Sequence, residues 1–265
     1  MLKIYQHFWQ VTWAEQWQYR ANLLMYLLYW LVSPIVYLSI WVTIAKAQGN
    51  VAGLTPNDFI TYYLTLLIVD QFTSEITIHT LAYKIQDGTF SGELLRPIHP
   101  ILTGSLVYNL AFKVLNLFGF VPIWILLFVL FRPDYSGVSL SSVLIAIPAV
   151  LLGFGLNFLL GASITCMAFW TTRVYSVSQF FGLVVILLSG QFVPLQLMPK
   201  AVQQVASYLP FQMFTFVPVE AALNQLSMAE LLRDYAAGLI WLVILYLLFR
   251  WVWREGIKRF SSVGA

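Results

Sequence analysis

Six long apolar stretches separated by short polar connections limit what this chain can fold into. They cover residues 23–45, 59–78, 104–131, 143–170, 177–193 and 235–253. A helix crossing a bilayer needs about 20 mostly apolar residues, so each is a candidate span; the fifth is short, and two exceed the need and imply tilt or a kink. Only 9% of the 265 residues are charged, 60% are apolar or aromatic, and mean hydropathy is +0.80. An ordinary globular domain carries about 25% charged residues. With so few, a water-soluble globule cannot cover its surface, and lipid must solvate most of the chain. The expected fold is an all-α integral membrane protein, one transmembrane domain over residues 1–265.

Lys and Arg in the short loops orient the spans. With both termini cytoplasmic, nine basic residues lie inside and four outside, while Lys113 falls within the third span. The first apolar run is too long for the core of a cleavable signal peptide, about 7–15 residues, so none is expected. Residues 1–22 read as an interfacial helix, amphipathic over 1–20. Tyr5, Phe8, Trp9, Trp13 and Trp17 recur every three to four residues, opposite Lys3, Gln6, Gln10 and Gln18. Indole rings favour headgroup depth, so this helix is expected to lie in the cytoplasmic interface, with contact to a cytoplasmic partner as the sharper alternative.

Several kinds of chemistry are missing. There is no G-x-x-x-x-G-K-[ST] loop for ATP, no H-E-x-x-H and no G-x-S-x-G. His7, His79 and His99 are too scattered to suggest a metal cluster, and the single Cys166 permits neither an intrachain disulfide nor a cysteine metal site. Basic residues are scattered rather than clustered, which argues against nucleic acid. No catalytic residue, metal ligand or cofactor is expected on this chain.

Three places stand out. The second span carries Asp70 and Glu75, with His79 one turn further on. An ionisable group in lipid costs roughly 2.5–3.5 kcal/mol, so such groups face protein or a water-filled cavity. At about 1.5 Å per residue, Asp70 and Lys113 reach similar depths, roughly 13 Å, so an Asp70–Lys113 pair is possible. Either these residues lock two helices together, or Asp70 and Glu75 line a path that attracts a cation. The cytoplasmic loop 84–100 holds Gly92 and Pro97, which bracket an expected one-turn helix that suits docking into a partner's groove, or forms a plain interfacial loop. Residues 194–230 are too apolar for a simple outer loop, yet Pro194, Pro199, Pro210 and Pro218 forbid one continuous helix. Short helices dipping into the outer leaflet are expected there, acting as a gate over the exit.

In order along six spans, these features resemble the membrane subunit of ABC-2 type exporters, the six-span bacterial permeases encoded apart from their ATPase. The matching residues are Ile85-x-x-Gly88-x-x-x-x-x-Leu94-Leu95-Arg96-Pro97-x-x-Pro100 and Ser189-Gly190-x-x-x-Pro194-x-x-x-x-Pro199. Pro210-Phe211 and the ending from Gly256 to Ala265 match as well. The resemblance implies a permease dimer, with an identical or related second copy, in the bacterial plasma membrane. It also implies two P-loop ATPase subunits, which would hold the ATP and Mg. Phe90, Glu93, Leu94, Leu95 and Arg96 would form the coupling surface, helped by the N-terminal helix, and Pro194, Pro199 and Pro210 would belong to the outer gate. Asp70, Glu75 and the aromatic spans make a hydrophobic or amphipathic cation the expected cargo. A lipid or lipid-linked glycan is the rival cargo. An ion-coupled carrier or channel using Asp70, Glu75 and His79 is the rival mechanism.

Overall fold

The computed structural model describes residues 2–96 and 99–260, with side chains for all but residues 2–5, 20, 22–23, 79–80 and 102–103. Pro97, the expected end of the coupling helix, and residues 261–265 of the family-like ending lie outside the described residues, as does the side chain of His79. Regular structure among the described residues is helical, with one isolated bridge between Val51 and Leu54.

The chain begins with α1 (Leu2–Gln18) and α2 (Arg20–Gln48), then α3 (Pro56–Thr73), α4 (Thr77–Gln86) and the short α5 (Phe90–Leu94). A π-helical turn, Ile101–Leu106, leads into α6 (Val107–Phe131), followed by α7 (Leu140–Cys166) and α8 (Val174–Leu188). After these come α9 (Lys200–Tyr208), α10 (Phe216–Ala222) and α11 (Met228–Ile257). Among the described residues, four segments are long and apolar enough to cross a membrane: Leu24–Gln48, Gly104–Phe131, Leu140–Phe169 and Met228–Ile257.

The other two expected spans are interrupted. The second was expected to run from 59 to 78, but α3 closes at Thr73 and Ser74 is extended (φ −60°, ψ 157°) before α4 begins. The fifth was expected to reach 193, but α8 has 15 residues and ends at Leu188, where the chain turns through Gly190 at φ +84°. Left-handed backbone of this kind favours glycine.

Capping chemistry in the sequence starts three helices. Thr55 and Asp58 form a reciprocal capping box ahead of α3, with Pro56 in its first turn. Ser139 with Ser142 does the same for α7, and Ser227 with Glu230 for α11, which therefore starts before the expected 235. Each such cap contributes about 1 kcal/mol. Arg132 ends α6 in the left-handed conformation at φ 50°.

α3 lies at the centre, packed by α2, α6, α7 and α10, and Phe59, Tyr63 and Leu64 are completely buried. α7 packs against α11, α10, α4, α3 and α8. By contrast α2, α6 and α11 expose apolar side chains, among them Leu28, Leu130 and Ile240. A buried centre with an apolar exterior is the pattern expected where lipid is the solvent.

The proline-rich segment folds as short helices with a 3-10 turn at Leu195–Leu197 and another at Pro210–Met213. Pro210, Phe211, Met213, Phe214 and Val217 are buried against α7 and its neighbours. Gly153 makes room for this: a Cβ there would stand 2.4 Å from the Met213 carbonyl oxygen. Irregular backbone enclosed in protein keeps its polar groups out of lipid.

At the other end, α1 lies against α6 with Thr12 and Gln16 buried, and Gln16 Nε2 donates to the Tyr108 carbonyl at 3.2 Å. The helix thus turns a polar strip to the protein. Trp9 and Trp13 flank that strip, and Trp17 is exposed.

Candidate functional site

The break between α3 and α4 is built by a polar stripe on an otherwise apolar helix. Ser105, Asn109, Lys113 and Asn116 recur at helical spacing and are all buried. Lys113 Nζ donates to the carbonyls of Gln71 at 3.0 Å and Ser74 at 2.6 Å, and to Ser74 Oγ at 3.2 Å. Asn109 Oδ1 accepts from the Ile76 amide at 2.9 Å, and Asn157 Nδ2 from α7 donates to the Thr73 carbonyl at 3.0 Å. Gln71 Nε2 donates in return to the Lys113 carbonyl, and Asn116 Nδ2 donates to Gln71 Oε1. Backbone that leaves the helix at 74–76 therefore finds side-chain partners from α6 and α7, which is what permits a break at this depth.

This corrects the Asp70–Lys113 pair. No ion pair joins them among the described residues, because the ammonium is taken up by the carbonyls at the end of α3. Asp70 Oδ1 instead accepts from Gln191 Nε2 at 3.1 Å, and Glu75 Oε2 accepts from the Thr77 amide at 2.6 Å, starting α4. Asp70 lies in the last turn of α3 and Glu75 within the break itself, just ahead of α4.

Both face one cavity of about 350 Å3 between α2, α3, α7 and α8, lined among others by Trp30, Tyr37, Asn157 and Gln191. Among the described residues, none lining it is basic. Glu75 also borders an adjoining cavity of about 560 Å3 walled by Tyr26, Tyr29 and Trp30. Gly161 of α7 forms the notch for the Glu75 carboxylate: a Cβ there would lie 2.0 Å from Oε1.

Above this cavity the chain turns at residues 189–192, held by four side chains. Tyr62 Oη donates to the Gly190 carbonyl at 2.9 Å, and Thr215 Oγ1 to that of Ser189 at 2.6 Å. Tyr63 Oη and Trp41 Nε1 both donate to the Phe192 carbonyl, at 2.7 and 2.9 Å. The three prolines expected at the outer gate surround this turn rather than form it. Pro194 is buried beside it, Pro199 precedes α9 on the exposed side, and Pro210 is buried at the start of a 3-10 turn.

In the loop 84–100, expected to be cytoplasmic, α5 starts at Phe90, so Gly92 lies inside the helix instead of preceding it. Of the five residues expected on a docking surface, two are not on the surface. Phe90 is fully buried, with its ring 5.8 Å from Phe169, 5.9 Å from Trp253 and 5.3 Å from Phe260. Glu93 is buried beneath Lys84 and Arg96, which pair with it at 2.9 and 2.8 Å. An aromatic and a carboxylate on a one-turn helix serve as its anchors, leaving Leu94 and Arg96 partly exposed and Leu95 88% exposed. The Arg96 guanidinium also stands 5.3 Å over the Phe8 ring, joining the loop to α1. Nearby, the Thr89 hydroxyl and amide hold the Asp87 carboxyl below its usual range.

An all-helical membrane chain with a broken polar helix, an anchored one-turn helix and a buried proline-rich segment is the setting for the sequence comparison. Residues 21–264 match the family described as ABC-2 family transporter protein. The chain belongs to the ABC-2 transporter family. That membership makes it a membrane component of an ABC transporter, a class whose membrane subunits work with ATPase subunits. No curated protein matches the sequence.

Gln71, Asn109, Asn116, Asn157 and Gln191 are neutral amides that the sequence did not place among the site residues. The spacing of Ser105, Asn109, Lys113 and Asn116 in an apolar span was the available signal. Gln191 had none, since its partner Asp70 lies 121 residues away.

Proposed function

We propose that the chain is the permease of an ATP-driven exporter in a bacterial plasma membrane, carrying a hydrophobic or amphipathic cation. In this reading α2, α3 with α4, α6, α7, α8 and α11 make six crossings with both ends cytoplasmic. Two such permeases, identical or related, stand on two ATPase subunits that bind ATP and Mg. The observation that carries the cargo is the shared cavity. Asp70 and Glu75 open into it, aromatic rings wall it, and the nearest ammonium, that of Lys113, is engaged by backbone carbonyls. A cation entering it meets two carboxylates, with the Lys113 ammonium held by backbone carbonyls rather than ion-paired with either, and ring faces add to the attraction.

Coupling follows from chain order. Leu94, Leu95 and Arg96 offer the ATPase contact, while Phe90 and Glu93 fix α5 to the bundle. α4 connects that contact to the break at 74–76, so a push on α5 shifts Glu75 relative to Asp70. The 189–192 turn and the helices behind it, from Pro194 through Pro199 and Pro210, form the outer gate, partly re-entrant into the outer leaflet.

The test uses the complex purified from its native membrane. It is expected to contain a P-loop ATPase, to lose it when Leu95 and Arg96 are both changed to Ala, and to hydrolyse ATP faster with tetraphenylphosphonium. Asp70→Asn should abolish that stimulation while leaving assembly intact. Transport by the chain alone in liposomes without ATP would overturn the exporter reading. Stimulation by lipids, with none by the cation, would overturn the cargo.

A further inference from the structure

The face of α3 that carries Asp70 continues outward. Asp58, Tyr62, Leu66 and Asp70 follow one another at intervals of four, one side of a helix spanning about 18 Å. Leu66 and Asp70 line the inner cavity; Asp58 and Tyr62 line a second cavity of about 420 Å3 on the outer side of the 189–192 turn. Asp134, Pro194, Gln225 and Glu220 complete that outer wall, and among the described residues none lining it is basic.

Glu220 sets this outer cavity apart from an ordinary acidic surface. It is 4% exposed on α10, and among the described residues its carboxylate has no hydrogen-bond or ion-pair partner. Asp58 is occupied by the α3 cap and Asp134 by the Ser136 amide, so each already has a structural role. A buried carboxylate facing a cavity without a partner either takes up a proton or draws in a counter-charge. Among the described residues no group of three or more metal-ligating side chains gathers here.

We propose that Glu220 is the charged centre of an outer station for organic ammonium or related lipophilic cations. It is separated from the Asp70–Glu75 cavity by the 189–192 turn. The station deepens the cation-export reading and rests on it for its role in transport, though the site itself is testable without it. Cargo leaving Asp70 passes the turn, exchanges one carboxylate for another, and is released from a cavity without competing lysine or arginine. Burial pushes the Glu220 carboxyl up to about 7, so the group is partly neutral when the cavity is empty and an arriving cation draws it into the ionised form.

The experiment places a thiol at the rim, Gln225→Cys, in the assembled complex; the native Cys166 is buried and stays silent. Labelling rates are measured for a cationic trimethylammonium-ethyl methanethiosulfonate and an anionic sulfonatoethyl analogue, each normalised to a free thiol. The cationic reagent should be favoured about tenfold, and adding Glu220→Gln should cut that preference at least threefold. Lowering the pH from 8 to 5.5 on Gln225→Cys alone should have the same effect. Of the other groups facing Glu220, Asp134 is held below its usual range by Ser136 and stays ionised, Asp58 is in the cap, and Tyr62 has its hydroxyl on Gly190. The pH series also decides the matter if Glu220→Gln fails to assemble. A preference near one, or one indifferent to both Glu220→Gln and pH, overturns the station. If the preference depends on Glu220 but tetraphenylphosphonium neither protects the thiol nor stimulates ATP hydrolysis, the electrostatic site stands and the cargo reading falls.

Discussion

Two stretches of non-helical backbone lie deep in this protein, and they are held by different chemistry. The inner one, residues 74–76, depends on a lysine ammonium and two asparagines from neighbouring helices. The other, residues 189–192, is shared among two phenols, an indole and a threonine hydroxyl, all neutral donors, with Gln191 of the turn also reaching the Asp70 carboxylate. Hydrogen bonds from a charged group contribute about 1.5–3 kcal/mol and neutral ones about 1 kcal/mol, so the inner break is concentrated in one residue and the outer turn is divided. A hinge that must keep its shape suits the first arrangement. A gate that must open suits the second, because its holds can be released one at a time.

The largest expected effect tests the concentrated side. Lys113→Met leaves the Gln71 and Ser74 carbonyls without their donor and should destabilise the detergent-solubilised protein by about 3 kcal/mol, measured as thermal unfolding. An unchanged midpoint would mean that the break does not depend on Lys113.

Next in size is a pH effect on the outer side, where Glu220 is the buried carboxyl beside the turn's neutral donors. Its folded pKa, about 7, is raised above the ordinary 4.5, so the folded state holds the proton longer than the unfolded one. Stability should therefore fall as pH rises from about 4.5 to about 7, by up to about 3 kcal/mol, and level off above. Glu220→Gln should remove that slope; a slope that survives would assign it to another group.

A pair of glycines on α7 separates packing from positioning. Gly153→Ala drives a methyl into the Met213 carbonyl, a backbone atom, and should cost about 2 kcal/mol of stability. Gly161→Ala meets only the movable end of Glu75 and should cost far less, yet alter cation stimulation of ATP hydrolysis in the complex. Equal loss of stability in both would show that Glu75 is as rigid as backbone.

The smallest effect belongs to the divided turn. Tyr62→Phe and Tyr63→Phe each remove one neutral donor and should cost about 1 kcal/mol apiece in the same unfolding measurement. A loss as large as that of Lys113→Met in either would erase the contrast between the two regions.

Much of this was legible in the sequence. Thr55 with Asp58 and Ser227 with Glu230 carry local helix-start signals, yet the apolar runs alone put those spans at 59 and 235, inside helices that begin at Pro56 and Met228. The one-turn helix of the cytoplasmic loop was also visible, but its surface was not. Phe90 and Glu93 look like docking residues until Trp253, Phe260 and Lys84 are brought against them. The same holds for Asp70 and Lys113, whose matched depth suggested a pair. Depth counts residues along each helix and cannot tell which carbonyls a neighbouring break will release.

Lipid as solvent, an all-helical fold, the proline-rich outer segment and the charged residues were fixed by composition and local pattern, since the cost of exposed charge and backbone in a bilayer depends on little else. Tertiary structure decided where two helices break, which donors serve each break, and which carboxylates are left facing a cavity. Those outcomes depend on partners up to 151 residues apart, as for Trp41 and Phe192, and geometry across that distance is set only when the helices pack.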